Sequence, residues 1–483
     1  MTDKAERGCK KEMNGELKEK NIRRRYIIDA FFNAVIVCTS IFSAFFICHD
    51  DLYINTRWGL WLIRCLQTGR LREYAAFLYS IDDTTNYSPL INIITVIIQC
   101  PIYLIGLLRG RGFRVVVYVG WYKCIILAVT LATVLMLRKT LRLLQHDESY
   151  VRLASILFAV SPVIQFVGIG MGQVDFLGNF LLASSLYYFH SKNYGRMACC
   201  MSLTFIVKPI PILIYFPFLL ISVMRIGKKT WRMLSILLIF PVISIILSRF
   251  YFYDYKKYAE ILASKFNFTG RIFEESLQNN SFFFLTVLLS CYLLFEYLIK
   301  NGTDKEVPVY LAASINFAAF TIFVGWHPQW IVYMVTILCI LGGYIEERLN
   351  LLLLYAGFNF GYIIYVISGF RNNVDNTMVE RSVVADILNI SGHGYDMAHY
   401  LEMVFPPYLK EIGHTIVTAT LILIIYLFFK ICRNRDYEMI PYSQKTDNFF
   451  FDCIYIAEAF PVVFVSAATF VIHVRYAYIL GLG

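Results

Sequence analysis

The feature that most constrains the fold is a series of long apolar runs with few or no charged residues. One stretch, 307–345, lacks Asp, Glu, Lys and Arg and breaks at Gly325-Trp326-His327-Pro328, so it predicts two spans. A spanning helix needs about 20 mainly apolar residues, and helices satisfy their backbone polar groups internally in lipid, so we predict an all-α, polytopic membrane helical bundle of about 11–13 spans. The runs lie at 30–48, 89–108, 115–137, 153–172, 174–190, 197–224, 233–250, 282–299, 307–325, 329–345, 349–369, 413–429 and 453–479.

Composition agrees with this class. Hydrophobic residues make up 58% of the chain and charged residues 16%, whereas soluble domains carry roughly 25% charged residues. This balance excludes a soluble globular enzyme, a disordered chain and a nucleic-acid module. The net charge of +10 is typical of a membrane protein with basic cytoplasmic loops. We therefore expect membrane lipids as partners and no nucleic acid.

The distribution of basic residues predicts the orientation, because cytoplasmic loops carry an excess of Lys and Arg. The basic tail 1–25 ends in three arginines and is expected in the cytoplasm. The long segment 371–412 is more acidic than basic and is expected outside. The loop after Cys48 and the Gly172-Gln173 turn then share the external face. Further basic loops that we expect in the cytoplasm are 138–152, 191–196, 225–232 and 430–436.

The run 89–108 has two possible placements. If it crosses the membrane, the number of crossings from the cytoplasmic N-terminus puts the basic loop 138–152 outside, against its charges. If it dips in from outside and returns, Arg109, Arg111 and Arg114 lie outside, also against the rule. We favour the second placement, because the cytoplasmic assignment of 191–196 also depends on it.

Two acids follow the first span. Asp50 and Asp51 sit at its external end, where they either begin a solvated loop and pair with Arg57 or Arg64, or act as functional carboxylates. Apolar and polar positions mix through residues 51–88, a pattern that predicts amphipathic helices in this first external loop. An ordinary extramembrane helical hairpin is the alternative.

A second polar position lies between two later runs. Gly170 and Gly172 allow a tight turn, after which Gln173 and Asp175 present polar groups at the membrane edge. The alternative for Asp175 is an acid that stabilises a helix N-terminus.

Lys208 lies inside the apolar stretch Met197 to Met224 and is followed by Pro209 and Pro211. A lysine there costs about 2.5–3.5 kcal/mol unless it is paired or faces a cavity, and the prolines break the helix locally. We favour a polar cavity with an anionic partner over a lysine that extends to the membrane surface.

His327 lies at another external turn, Trp326 to Trp330. It is either a ligand contact or proton carrier, or part of an interfacial aromatic belt. The topology gathers these acids, the lysine and the histidine near one face. A base and a cation there suit group transfer from a lipid phosphate, because the acid can deprotonate an acceptor hydroxyl and the cation can stabilise the departing phosphate.

Three local patterns follow one another along the chain. They are Asp51 to Gly59 with Arg57 six residues after the acid, Asn86-Tyr87-Ser88-Pro89-Leu90, and Gly172-Gln173-Val174-Asp175 followed by Val207-Lys208-Pro209. In this order, the patterns resemble the GT-C superfamily of membrane glycosyltransferases. The likeness covers roughly residues 26–225 and is strongest to the polyprenyl-phosphate-mannose-dependent mannosyltransferases. Ser88 departs from the family's proline, and Asp175 stands where many relatives carry Asn.

The resemblance implies a polyprenyl-phosphate sugar donor, an external or lumenal site and inversion at the anomeric carbon. It also implies that Asp51 is the base. Some relatives use a divalent metal such as Mg or Mn and others do not, so the use of a metal stays undecided.

The resemblance also divides the chain into three parts. These are a cytoplasmic tail (1–25), a GT-C-like catalytic transmembrane module (26–225) and a variable C-terminal transmembrane module (226–483).

The sequence therefore predicts a multi-pass hexosyltransferase of the cell membrane or the endoplasmic reticulum. It would move a sugar such as mannose to a lipid-linked or cell-envelope glycan, or to a glycolipid. Asp51 is the expected base, with Asp50 or Asp175 positioning acceptor or metal. Lys208 is expected to bind the phosphate with help from Arg57 or His327, and Gln173 to contact substrate.

Two rivals remain. One is a transporter or flippase of a lipid-linked saccharide, a class that favours internal repeats and interrupted helices in matching halves. The sequence has one interrupted segment, at 208–211, without a clear counterpart. The other rival is a scaffold subunit with a degenerate site.

Overall fold

A computed structural model describes most of the chain and gives only helices as regular secondary structure in that part. The all-α class expected from the sequence is confirmed. The described residues are 27–71, 73–74, 89–172, 174–208, 210–251, 277–302, 306–323, 328–345, 348–369, 382–388 and 408–433.

Fifteen α-helices occur within these residues, joined in places by short π- or 3₁₀-helical turns. The α-helices are α1 Ile27–Phe46, α2 Asp50–Gln67, α3 Pro89–Leu108, α4 Val115–Leu143, α5 Glu148–Val160, α6 Asp175–His190, α7 Tyr194–Val207, α8 Ile212–Ile226, α9 Thr230–Tyr251, α10 Leu277–Asn301, α11 Val307–Phe323, α12 Val332–Leu341, α13 Arg348–Gly369, α14 Val383–Ile387 and α15 Leu409–Arg433. The short segments of other helix types include a π-helix Ile164–Met171 and 3₁₀-helices Pro328–Ile331 and Gly342–Tyr344.

Five of these helices are long and apolar enough to cross a membrane: α1, α3, α4, α10 and α15. A sixth span is formed if α5 and the π-helix, which are bent by 55°, count as one. Apolar stretches in α7, α11, the 328–344 segment and α13 are shorter. The chain is thus a multi-pass membrane protein. The expected total of about 11–13 spans stays a prediction, and its last run, 453–479, lies outside the described residues.

Two breaks modify the predicted runs. Pro162 disfavours helical geometry in the residue before it, and Ser161 is extended with ψ 131°. The run 153–172 is therefore a bent pair rather than one straight helix. The stretch Met197 to Met224 is likewise two helices, because α7 ends at Val207 and α8 begins at Ile212.

The helices bring their ends together at two places. At the first, which we call the Asp175 end, α1 ends, α4 and α6 begin and α7 ends. The Nζ of Lys123 on α4 donates there to carbonyls of Ile47, Ile169 and Gly170.

At the second place, the His190 end, α4 and α6 end and α11 begins. The Nε2 of His190 lies 2.6 Å from the Tyr310 hydroxyl, and its Nδ1 lies 3.0 Å from Glu306 Oε2. His146, in the loop after α4, packs its ring against Tyr344 at 5.1 Å between centroids.

The pair α2 and α3 lies beside the Asp175 end. Gly59 of α2 allows close approach, because a Cβ there would be 2.8 Å from Thr95 Cγ2. Farther along, the Tyr103 hydroxyl donates to Gln67 Oε1 at 2.8 Å. These two contacts show that the helices run parallel.

The sequence predicts that α2 is amphipathic. In the structure its Leu62 is buried.

Both ends of α3 contact the Asp175 end of the bundle. Near its start, Ile91 belongs to a buried cluster with Val174 and Val207. Near its end, Gly106 lies against Phe113 and Tyr118, which flank the start of α4.

The largest buried core runs through helices from both predicted transmembrane modules, from Phe32 on α1 to Phe428 on α15. By contrast, α10 exposes a row of large apolar side chains, as expected of a surface that faces lipid. The module boundary at 225/226 stays a prediction.

Candidate functional site

The turn that leads into Asp175 depends on Gly172. This residue ends the π-helix in the left-handed region, at φ +62° and ψ 27°, a conformation that glycine adopts without steric cost. A side chain would also not fit, because a Cβ at Gly172 would lie 2.7 Å from Ile126 Cδ1. The tight turn expected from the sequence is present, and α6 begins three residues later.

Asp175 is fully buried in the first turn of α6. The hydroxyl of Tyr333 on α12 donates to its Oδ1 at 3.0 Å. Gly178, one turn along α6, makes room for this tyrosine, since a Cβ there would lie 2.6 Å from the Tyr333 hydroxyl oxygen. A buried carboxylate needs such partners, because leaving water without them is costly.

Lys208 supplies the positive charge beside this carboxylate. Its Nζ lies 3.8 Å from Asp175 Oδ2, and its side chain is 16% exposed whereas that of Asp175 is 0% exposed. The lysine follows α7 in extended conformation, with φ −157° and ψ 137°. The break before α8 therefore places the ammonium group at the Asp175 end, as expected from the two prolines that follow it.

A second polar contact joins α6 to α12. The hydroxyl of Thr336 donates to Asn179 Oδ1 at 2.7 Å, and both residues are buried. Together with the Tyr333–Asp175 contact, it fixes the first turns of α6 against α12. The sequence reasoning singled out neither Tyr333 nor Thr336.

The first-loop acids begin α2 at the same end of the bundle. The helix starts at Asp50, and Leu52 would lie 3.2 Å from a Cβ at Gly172. Leu52 therefore packs against the turn at Gly172, three residues before Asp175. The side chains of Asp50 and Asp51 lie outside the described part, and Arg57 is exposed about two turns into α2.

Two other predicted site residues, Gln173 and His327, lie outside the described residues. So do Asn86 to Ser88 of the loop element, although α3 does begin at Pro89. His327 directly precedes the 3₁₀-helix that leads into α12 and Tyr333. In the part of the chain that is described, no three His, Cys, Asp or Glu side chains come together as metal ligands.

The arrangement is that of a site that could bind an anion. Lys208 lies beside a buried carboxylate and keeps 16% of its side chain exposed. In such surroundings charge interactions are screened less than in water.

The model of Glycosyltransferase family 87 matches residues 100–342, half of the chain. The match includes Asp175, Lys208 and Tyr333 and begins after the first-loop acids. No curated protein matches the chain. The expectation of a membrane glycosyltransferase is thereby confirmed at this level: the chain belongs to glycosyltransferase family 87.

Proposed function

We propose that this glycosyltransferase uses a polyprenyl-phosphate sugar donor and transfers a hexose, such as mannose, to a glycan or glycolipid. The observation that supports the donor class is the Lys208–Asp175 pair, 3.8 Å apart, at the end of the bundle where α2 begins with Asp50 and Asp51. A lipid phosphate suits this site, because its charge can meet the ammonium group while its chain stays in the membrane.

In the proposed reaction Asp51 removes the proton of an acceptor hydroxyl. The hydroxyl oxygen forms a bond to the anomeric carbon as the bond from that carbon to the phosphate oxygen breaks. One displacement of this kind inverts the anomeric carbon. Polyprenyl phosphate leaves with the bonding electrons.

Lys208 stabilises the negative charge that develops on the leaving phosphate. Asp175, held by Tyr333, keeps the ammonium group in place. Arg57 and His327 assist on the phosphate side, while Asp50 and Gln173 position the acceptor. His327 precedes Tyr333 by only six residues of sequence, which supports assigning this histidine to the Asp175 end.

The Asp175 end is proposed to face the outside or the lumen. Two observations support this orientation. Both ends of α3, a single continuous helix, contact the Asp175 end, which supports a segment that starts and finishes on the same side of the membrane. Arg114, at the start of α4, also forms a 2.6 Å ion pair with Asp386 in the acidic segment 371–412.

The experiment replaces Asp51 with Asn and measures sugar transfer by purified protein in detergent. Loss of a general base lowers turnover about 100- to 10,000-fold. Glu296→Gln, at an exposed i,i+4 pair on α10, is the matched control and should keep full turnover. Normal turnover by a folded Asp51→Asn protein would reject the assignment of the base.

The same assay distinguishes a glycosyltransferase from the rival transporter. Transport needs a sealed compartment, whereas sugar transfer does not. Activity of the wild-type protein in detergent therefore supports the enzyme, and activity seen only in sealed vesicles would favour a flippase.

A further inference from the structure

Lys123 is fully buried within the bundle, two turns into α4. Its Nζ donates to three backbone carbonyls, those of Ile47 at 2.9 Å, Ile169 at 2.6 Å and Gly170 at 2.5 Å. An ammonium group has three donors and no acceptor, so these contacts use its full capacity.

The three carbonyls belong to two chain segments that both lead into the proposed site. Ile47 directly follows α1 and precedes Asp50 by three residues. Ile169 and Gly170 lie in the last turn of the π-helix and precede Asp175 by a few residues. The last carbonyls of a helix lack intrahelical partners and carry partial negative charge, which favours a cation beside them.

Other contacts show that these segments touch where the lysine holds them. A Cβ at Gly170 would lie 2.9 Å from Ile47 Cγ2. The two segments are thus in direct contact, and Lys123 reaches both from a third helix.

We propose that Lys123 is a positioning residue of the transferase site, an inference that rests on the function proposed above. Its ammonium group fixes the segment that carries Asp50 and Asp51 relative to the segment that carries Asp175. The distance between the proposed base and the Lys208–Asp175 pair then depends on a side chain that touches no substrate.

The first test compares Lys123→Met, Lys123→Gln and Lys123→Arg in the detergent transfer assay. Met donates no hydrogen bond, Gln donates from an amide without charge, and Arg keeps the charge in a planar group. We expect kcat to fall at least tenfold in Lys123→Met while the KM for the donor changes less than threefold, with partial recovery in Lys123→Arg. The control is Lys139→Met, at an exposed lysine of the same helix. Equal kcat in Lys123→Met and the control would overturn the proposal.

The second test does not depend on activity. Spin labels are placed at Ile54 on α2 and Ile212 on α8, two exposed positions on either side of the site. A ketone-bearing unnatural amino acid carries each label, since thiol reagents would also meet the 12 native cysteines. Lys123→Gln, the milder variant, is measured in lipid nanodiscs.

We expect the distance distribution between the labels to broaden in Lys123→Gln and to stay narrow in Lys139→Met. An unchanged distribution in Lys123→Gln would refute the positioning role. This result is separate from the proposed function: a wild-type protein that transfers no sugar would reject the function, while the distances would still report on Lys123.

Discussion

Asp175 shows how strongly a single buried charge depends on its neighbours. Its carboxylate lies beside the Lys208 ammonium group and accepts a hydrogen bond from Tyr333. Removing one partner of a buried ion pair costs about 3–5 kcal/mol, because the other charge stays buried. These contacts explain how an acid can persist at 0% exposure in a membrane protein.

Tyr333→Phe should weaken this arrangement without changing the packing volume much. The lost donor leaves a buried acceptor less well satisfied, at a cost of about 1–3 kcal/mol in stability. We expect a lower unfolding midpoint in detergent and a roughly tenfold loss of turnover, equivalent to about 1.4 kcal/mol in the barrier. Tyr408→Phe, at an exposed tyrosine, is the control.

Gly178 provides a steric check on the same contact. A Cβ at this position would meet the Tyr333 hydroxyl oxygen at 2.6 Å, so Gly178→Ala should displace the tyrosine. Adding Tyr333→Phe removes that oxygen, and the double variant should lose less stability than the two single losses combined. Strict additivity would contradict a direct contact between these residues.

The sequence singled out Asp175 and Lys208 because each is a charge at an unusual position in an apolar context. Lys123 offered the same signal, a lysine inside the run 115–137, yet that run was interpreted only as a span. Tyr333 offered no signal, because the chain has 34 tyrosines and its role arises only where α12 packs on α6. Contacts between distant helices are not encoded in local spacing.

At the scale of elements, proline and glycine explain the departures from simple spans. Pro162 bends one predicted span, and the break at Lys208 divides another into α7 and α8. The sequence predicted one of these two interruptions, the break at Lys208, and it also predicted the turn at Gly172. The sequence did not predict the 55° bend between α5 and the π-helix, because an apolar run indicates how long a span is but not whether the helix bends.

The loop that joins α4 to α5 makes stability depend on pH. Burial lowers the pKa of His146 from 6.5 to about 4, with the nearby His190 as the second cause. As the pH falls below about 6.5, the unfolded chain takes up a proton at this position and the folded protein does not. Stability is therefore highest above that pH and declines as the pH falls towards 4.

The check is the thermal unfolding midpoint between pH 7 and pH 4.5. His146→Asn cannot titrate in this range, so its midpoint should fall less steeply with decreasing pH than that of the wild type. Parallel curves for the two proteins would contradict a buried neutral histidine at this loop.

At the scale of the whole molecule, the topology brings together segments that are far apart in sequence. The loop charges alone predicted that the first-loop acids and the Gly172 turn share one end, and the described contacts of Leu52 with Gly172 agree with that grouping. Hydropathy could not decide the placement of 89–108, because length and composition fit a span equally well.

We predict that the loop between α3 and α4 is accessible from outside the cell or from the lumen. A cysteine in place of Arg111 should react with a membrane-impermeant thiol reagent in sealed, right-side-out membranes, measured as labelling above that of the wild-type protein with its 12 native cysteines. A cysteine in place of Lys192, in a loop at the other end of the bundle, should react only after permeabilisation. The reverse pattern would mean that α3 crosses the membrane.

The proposed reaction depends on Lys208 binding the phosphate of a polyprenyl-phosphate donor. Its most direct test is donor affinity, measured with radiolabelled polyprenyl-phosphate hexoses on purified Lys208→Met and on the control Lys300→Met, whose lysine is exposed on α10. The double variant Lys208→Met with Asp175→Asn removes both charges and avoids an unpaired buried carboxylate. Loss of a charge-assisted hydrogen bond should weaken binding about 10- to 100-fold in both Lys208 variants and leave the control unchanged. Wild-type affinity in folded Lys208 variants would show that Lys208 does not bind the donor phosphate.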